Sequence, residues 1–269
     1  MVVRPRDNFP GAGGDGPDSR RAGGGEPDLD TFRAADAIAR RVSGAEPEEV
    51  PGRLCEVAVE LLPVTGASVS LRSDGMPVQV SASSEHAAHL AEIQATLGDG
   101  PCQTAVADGA PVLACDLTSG RDAGRWPVFA QQATAAGVRA VYAVPLGSDA
   151  VCVGTLDLYR DSPGGLTDRQ LRVARLVAGV MTAALMSLPR GDEAEARDGD
   201  DGLAWLSGLA TGHDAVYQAV GMIMAQLGVG ADDALARLRG NAFAHGCTVL
   251  EVAHDVITRR RCFEREQDH

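Results

Sequence analysis

The chain has 269 residues, a net charge of −13 and an apolar fraction of 45%. That length corresponds to one or two domains, each large enough to bury a core of its own. A surface this acidic repels nucleic acid as a whole, so any nucleic-acid binding needs a local basic patch.

The six cysteines (55, 102, 115, 152, 247, 262) include no CxxC pair, which argues against a zinc site. Residues 1–29 are dense in glycine, proline and charge and read as a disordered tail. They lack the apolar core of a signal peptide, and no apolar run reaches membrane-spanning length. The expectation is a cytoplasmic protein with free thiols and no membrane partner.

Residues 30–188 read as globular. Leu54 to Leu62 (LCEVAVELL) has a helical pattern, and Ala67 to Leu71 is a short β-prone run. Ser73-Asp74-Gly75 is a turn signal, and Val78 and Val80 alternate with polar residues, which predicts a hairpin. A helix is predicted from Glu85 to Leu97, ended by Gly98, and a strand from Pro111 to Leu117. Val138–Leu146 and Val151–Tyr159 flank Gly147-Ser148-Asp149 and predict a second hairpin. Thr167 is placed to cap a helix over 168–188 with a stripe of Leu171, Ala174, Val177, Val180, Met181 and Leu185. Antiparallel strand pairs among helices imply an α+β sandwich. Residues 189–204, acidic and with three glycines, read as a linker.

Several residues in this region admit two readings. Gly98 to Cys102 (GDGPC) is a ligand or phosphate loop, because glycine allows close backbone approach, or a helix C-cap and rigid turn with Pro101 opening the next helix. It is not a P-loop, which needs GxxxxGK[ST]. Cys102, near a helix N-terminus, is a low-pKa redox partner for Cys115 or a small buried side chain. His86 and His89 share a helix face but have no third ligand in view, so no metal is expected. Trp126, between Arg125 and Pro127, lies at a pocket mouth or anchors a loop on the sheet. Asp157 lies on the face of its strand opposite Leu156 and Leu158, as a pocket or surface residue. The candidate ligand residues are therefore Gly98, Gly100, Cys102, Trp126 and Asp157. No Ser/His/Asp order or carboxylate pair suggests catalysis, and no remaining segment is long enough for a catalytic domain.

Residues 205–262 read as three amphipathic helices, followed by a short tail over 263–269. Val216, Ala219, Val220, Ile223 and Leu227 form one apolar stripe, punctuated by Gly228 and Gly230. Ala234, Leu235, Leu238 and Ala242 form a second, closed by Gly246, and Leu250, Ala253 and Ile257 form a third. Thr248-Val249-Leu250-Glu251 is a capping box. From Leu235 to Cys262, five arginines (237, 239, 259, 260, 261) face two carboxylates, a net +3. Arg259, Arg260 and Arg261 can hold phosphates or only complement a helix C-terminus. Arg239 can set its planar fork on a phosphate or a base edge, and Gln218 can make a polar base contact.

Two resemblances follow from these landmarks. Gly98-Asp99-Gly100-Pro101-Cys102 with Ala105, Pro111-Val112, Arg125-Trp126-Pro127 with Phe129, Gly137-Val138, Val144-Pro145-Leu146 and Gly154 to Tyr159 together resemble a GAF domain of the kind that precedes ANTAR modules in actinobacterial regulators. Gln218 to Met224, Ala234 to Arg239, Ala242 and Leu250 to Ala253 resemble an ANTAR domain. The chain has Val220 where that family commonly has Lys or Arg, and Leu235 where it favours an aromatic. The resemblances imply an antiparallel sheet flanked by helices, followed by an all-α three-helix RNA-binding module acting in transcription antitermination. They also imply a small-molecule or protein signal at the GAF domain, whose ligand the family name does not choose, with no cofactor singled out. Paired hairpins in a nascent transcript suit a homodimer, for which the 168–188 stripe is an available seam. The alternative is a GAF sensor whose helical tail docks a protein and binds no RNA.

Overall fold

In the computed structural model, residues 29–73, 76–148, 151–188 and 213–263 are described. The expected tail over 1–29 (except Leu29), the linker over 189–204 and most of the tail over 263–269 lie outside them.

The order is α1 (Leu29–Val42), α2 (Val50–Leu61), β1 (Gly66–Ser73), β2 (Met76–Ala82), α3 (Glu85–Leu97), α4 (Pro101–Asp108), β3 (Val112–Ala114), α5 (Gly120–Arg125), α6 (Pro127–Ala135), β4 (Ala140–Ser148), β5 (Val151–Arg160) and α7 (Asp168–Ser187). The sheet is antiparallel, in the order β2-β1-β5-β4-β3. The α+β expectation and both hairpins stand. The expected strand over 111–117 shortens to Val112–Ala114, because Asp122 takes over its backbone: Oδ2 accepts from the amides of Cys115 (2.7 Å) and Asp116 (3.1 Å). Asp122→Ala is expected to cost about 2 kcal/mol, as two partly buried amides lose their acceptor; urea unfolding measures it.

Each face of the sheet meets a helical layer, and strand alternation assigns the residues. Ala67, Val69 and Leu71 of β1, Tyr142 and Val144 of β4, and Leu156 and Leu158 of β5 pack with α2 and α7. The α7 stripe is spent here: Ala174, Val177, Met181 and Leu185 are buried in this core, with Val173 and Ala178. The stripe proposed as a dimer seam therefore faces the sheet. The capping box that opens α7 is complete, with Thr167 Oγ1 accepting from the Gln170 amide and Gln170 Oε1 from the Thr167 amide. On the opposite face, Val141, Ala143 and Tyr159 pack with α3, α4 and α6 through Leu90, Cys102, Ala105 and Phe129.

The C-terminal helices are α8 (His213–Leu227), α9 (Ala231–His245) and α10 (Val249–Ile257). They share one core built on Ala219, Ile223, Leu238, Ala242, Val252 and Val256. The Thr248–Glu251 capping box forms as read. Its helix stops at Ile257, short of the arginine run, and Arg259 turns the chain with a φ of 57°. Among the described residues no single helix is long and apolar enough to cross a membrane.

Candidate functional site

Two stretches of strand that alternate strictly set polar groups on the inner face beneath α3 and α4. Ser68 lies opposite Asp157, and Ser70 opposite Thr155, across the β1–β5 ladder. All four are buried, as is Tyr159, whose hydroxyl is 2.9 Å from Ser68 Oγ. Thr155 Oγ1 donates to Asp157 Oδ2 at 2.9 Å, while Asp157 Oδ1 has no partner. Asp157 is 1% exposed, and burial pushes its carboxyl up to about 7, against the donated bond from Thr155.

The roof of this strip is the α3–α4 junction. Gln94, 1% exposed, turns its Oε1 to accept the Cys102 amide at 3.0 Å and leaves Nε2 without a partner. Gly100 makes that reach feasible: its φ is 140°, and a Cβ there would stand 2.8 Å from Gln94 Oε1. Gln103 Nε2, on the next turn, is also buried and unpaired. At the Ser70–Thr155 end the strip meets a crevice of about 10 Å³, lined also by Cys102, Gln103 and Arg72, with room for about one water molecule. A buried donor or acceptor without a partner costs about 1–3 kcal/mol. Two such donors in the roof and one such acceptor on the strand floor leave three hydrogen-bonding atoms unmet along one strip.

Of the sequence-read candidates, Asp157 and Cys102 belong to this strip and Gly100 shapes it. Gly98 and Trp126 do not. Gly98 is the left-handed C-cap of α3, and its Cα lies against Arg239 of α9. Trp126 is an anchor: it is buried with Phe129, its Nε1 donates to Thr104 Oγ1 at 3.2 Å, and the Arg125 guanidinium sits 4.6 Å from its ring centroid. Cys102 is not a low-pKa thiol. Burial pushes it well up, and the Asp157 charge adds to that. Cys115 is also raised, by burial and by Asp122, so neither supplies a thiolate. His86 and His89 are both exposed.

The strip's other members, Ser68, Ser70, Gln94, Gln103, Thr155 and Tyr159, escaped sequence reading. Their signal was available: polar residues alternate with Ala67, Val69 and Leu71 in β1 and with Leu156 and Leu158 in β5. Gln94 falls on the helical stripe of Ala87, Leu90 and Ala91, where a polar residue has no reason to sit unless it is used.

On the C-terminal module, Gln218, Arg237, Arg259 and Arg260 are exposed. Arg260 and Arg261 lie 3.8 and 3.9 Å from the Asp255 carboxylate, and Arg261 also hydrogen-bonds Asn241 Oδ1. Arg239 is half-buried. Its Nε and Nη2 have no acceptor, and burial pulls its guanidinium below the ordinary value. Val220 is 8% exposed and packs into the three-helix core, so this position presents nothing to solvent here.

Two family models match the chain: one described as GAF domain over residues 44–186, the other as ANTAR domain over residues 207–257. A search of curated proteins finds no match. Among solved structures, the chain is similar to the GAF domain of a phosphoenolpyruvate-protein phosphotransferase from Coxiella burnetii, at 14% identity and a TM-score of 0.45, covering 63% of this chain and 96% of that one. It is also similar to free methionine-R-sulfoxide reductase from Neisseria meningitidis in complex with its substrate, at 16% identity and a TM-score of 0.43, covering 60% and 92%. A third is the GAF domain of an Acinetobacter phosphoenolpyruvate-protein phosphotransferase, at 9% identity and a TM-score of 0.45, covering 59% and 94%.

Proposed function

The chain belongs to the GAF domain family and carries an ANTAR domain over residues 207–257, and from that premise we propose that it is a signal-responsive regulator that binds RNA and acts in transcription antitermination. Both domains are regulatory types, and ANTAR domains bind RNA. In this reading residues 30–188 sense, residues 205–262 bind paired hairpins in a nascent transcript, and the protein works in the cytoplasm as a homodimer. The observation that carries the sensing half is the buried polar strip with Asp157 Oδ1, Gln94 Nε2 and Gln103 Nε2 unpaired. It suits a small polar molecule that offers a hydrogen-bond donor to Asp157 and acceptors to the two amides.

The RNA-facing set is Gln218, Arg237, Arg259 and Arg260, all exposed, with Arg239 and Arg261 as the half-buried members. Single-stranded loop bases suit recognition by such polar and planar cationic groups. Dimerisation draws on a surface other than the α7 stripe; Met224 and Phe243 are large apolar groups left exposed on the C-terminal module. The competing reading, a helical tail that docks a protein and binds no RNA, draws on the commitment of Arg260 and Arg261 to Asp255. A titration with a two-hairpin RNA decides between them. Arg237→Ala is expected to weaken binding about three- to tenfold and to lower the slope of log affinity against log salt by about one. Unchanged affinity and slope would remove Arg237 from the interface, and no binding by the wild type at low salt would favour the protein-docking reading.

A further inference from the structure

One segment carries both the roof of the polar strip and the main contact with the C-terminal module among the described residues. Gln94 points into the strip, while Thr96 and Gly98, on the same last turn of α3, meet α9 and α10. Thr96 Oγ1 accepts the amide of Val249 at 3.1 Å in a buried setting. Val249 is the first residue of α10, so a sensor side chain satisfies an amide that a helix N-terminus otherwise leaves open. Beside it, the Arg239 guanidinium lies over Gly98 so closely that a Cβ there would sit 2.8 Å from Nη1.

This contact is held against two opposing costs. Arg239 stays charged, yet its Nε and Nη2 are shut away from water with no acceptor. Glu92, one turn earlier on α3, is half-buried, and burial together with the charge of Glu251 on α10 pushes its carboxyl upward. Separating the two units would return Arg239 to water and move Glu92 away from Glu251. The closed arrangement is therefore poised, with one buried hydrogen bond, from the Val249 amide to Thr96 Oγ1, weighed against a stranded cation and a like-charge pair.

We propose that docking of α9 and α10 on the C-terminal end of α3 is an autoinhibitory clasp that withdraws Arg239 from RNA, and that ligand in the polar strip opens it by re-seating Gln94. The proposal rests on the RNA-binding reading above. The linkage is short: the Gln94 carbonyl accepts the Gly98 amide at 2.9 Å, and the Gln94 side chain holds the Cys102 amide beyond the turn. A ligand that draws Gln94 Nε2 toward itself pulls on both ends of the segment that Thr96 and Gly98 present to the output module. The clasp and RNA compete for one guanidinium, so each weakens the other by the same factor.

The test uses the full chain and two substitutions on the sensor side, away from the RNA-facing residues. Thr96→Arg places a bulky cation in the seam, beside Arg239, and is expected to open the clasp. Glu92→Gln removes the like-charge pair and is expected to tighten it. Hydrogen exchange at the Val249 amide reads the clasp directly, with faster exchange expected in Thr96→Arg and slower exchange in Glu92→Gln. RNA titration then reads the consequence: about five- to fiftyfold tighter binding for Thr96→Arg and a few-fold weaker binding for Glu92→Gln. Equal RNA affinity in all three proteins, with Val249 exchange shifted, overturns the clasp and leaves the RNA reading standing. An opened Thr96→Arg protein that binds no RNA overturns the RNA reading and the clasp with it. Because Glu92→Gln acts in the opposite direction by a conservative change, a Thr96→Arg protein that fails to fold does not decide the matter. Unchanged Val249 exchange and RNA affinity in Glu92→Gln would then count against the clasp.

Discussion

Asp157→Asn is expected to stabilise the protein at pH 8 and to leave it near the wild-type value at pH 4. The folded carboxyl titrates near 7 against an ordinary 3.8, because burial penalises its charged form. A carboxyl raised in the folded state contributes fully below its unfolded pKa, where both states hold the proton. As pH rises from about 4 to 7 the unfolded chain sheds that proton first, so stability falls through this window and is flat above it. At about 1.4 kcal/mol per pKa unit, the penalty above pH 7 is about 4 kcal/mol. Asparagine keeps the acceptor for Thr155 Oγ1, and its amide nitrogen takes the place of an oxygen that has no donor to lose. The gain at pH 8 is therefore about 2–4 kcal/mol, or roughly 5–15 °C in melting temperature for a domain of this size. Thermal unfolding of both proteins from pH 4 to pH 8 measures it. Parallel curves at every pH would mean that the carboxyl is already ionised and paired in the fold. The same titration bears on the ligand: a cationic donor at Oδ1 favours the ionised carboxylate and binds more tightly above pH 7, whereas a neutral acceptor prefers the protonated form below it.

Most of the framework was legible because it depends on local pattern. Both hairpins carry a Gly-containing turn between apolar runs, and Thr167 and Thr248 each precede a Gln or Glu at the third helical position, so their capping boxes form as read. The elements that escaped are short or draw on distant partners. Helix α5 has six residues and α6 nine, and the length of β3 is set by Asp122, which lies outside the strand. The same distinction holds at the site. Asp157 could be placed on the correct strand face by alternation alone. Gln94 becomes part of the site only when α3 is laid across the β1–β5 ladder, which no local pattern specifies. Arg239 shows this most clearly: it reads as an open RNA contact and lies over Gly98, whereas Val220 is core, as its place in the apolar stripe implies and the family's usual cation there does not. Arg239 depends on how α9 is rotated against a surface more than 100 residues away in the sequence, whereas Val220 is set by its neighbours in α9 and α10.

Gly100→Ala is expected to be a strongly destabilising single-methyl change at the roof of the polar strip. Two effects add at this position. The backbone there has φ 140° and ψ 178°, a region essentially reserved for glycine, and holding a side chain in it costs about 1–3 kcal/mol. The new methyl would also stand 2.8 Å from Gln94 Oε1, which must then swing away from the Cys102 amide. That buried amide at the start of α4 has no other acceptor among the described residues, and stranding it adds about 1–3 kcal/mol. The expected loss is therefore about 2–6 kcal/mol, read as a lower urea midpoint. Gly109→Ala separates the two effects: Gly109 has φ 61° but nothing within 4 Å of the added methyl, so it should lose only about 1 kcal/mol from backbone strain. Hydrogen exchange at the Cys102 amide identifies the second effect, since only Gly100→Ala should accelerate it. If the two variants lose the same stability and the Cys102 amide stays protected, Gln94 is not held by its contact with α4. The roof of the polar strip would then have to be supported from elsewhere in α3, and Gln94 could not be the part that responds to ligand.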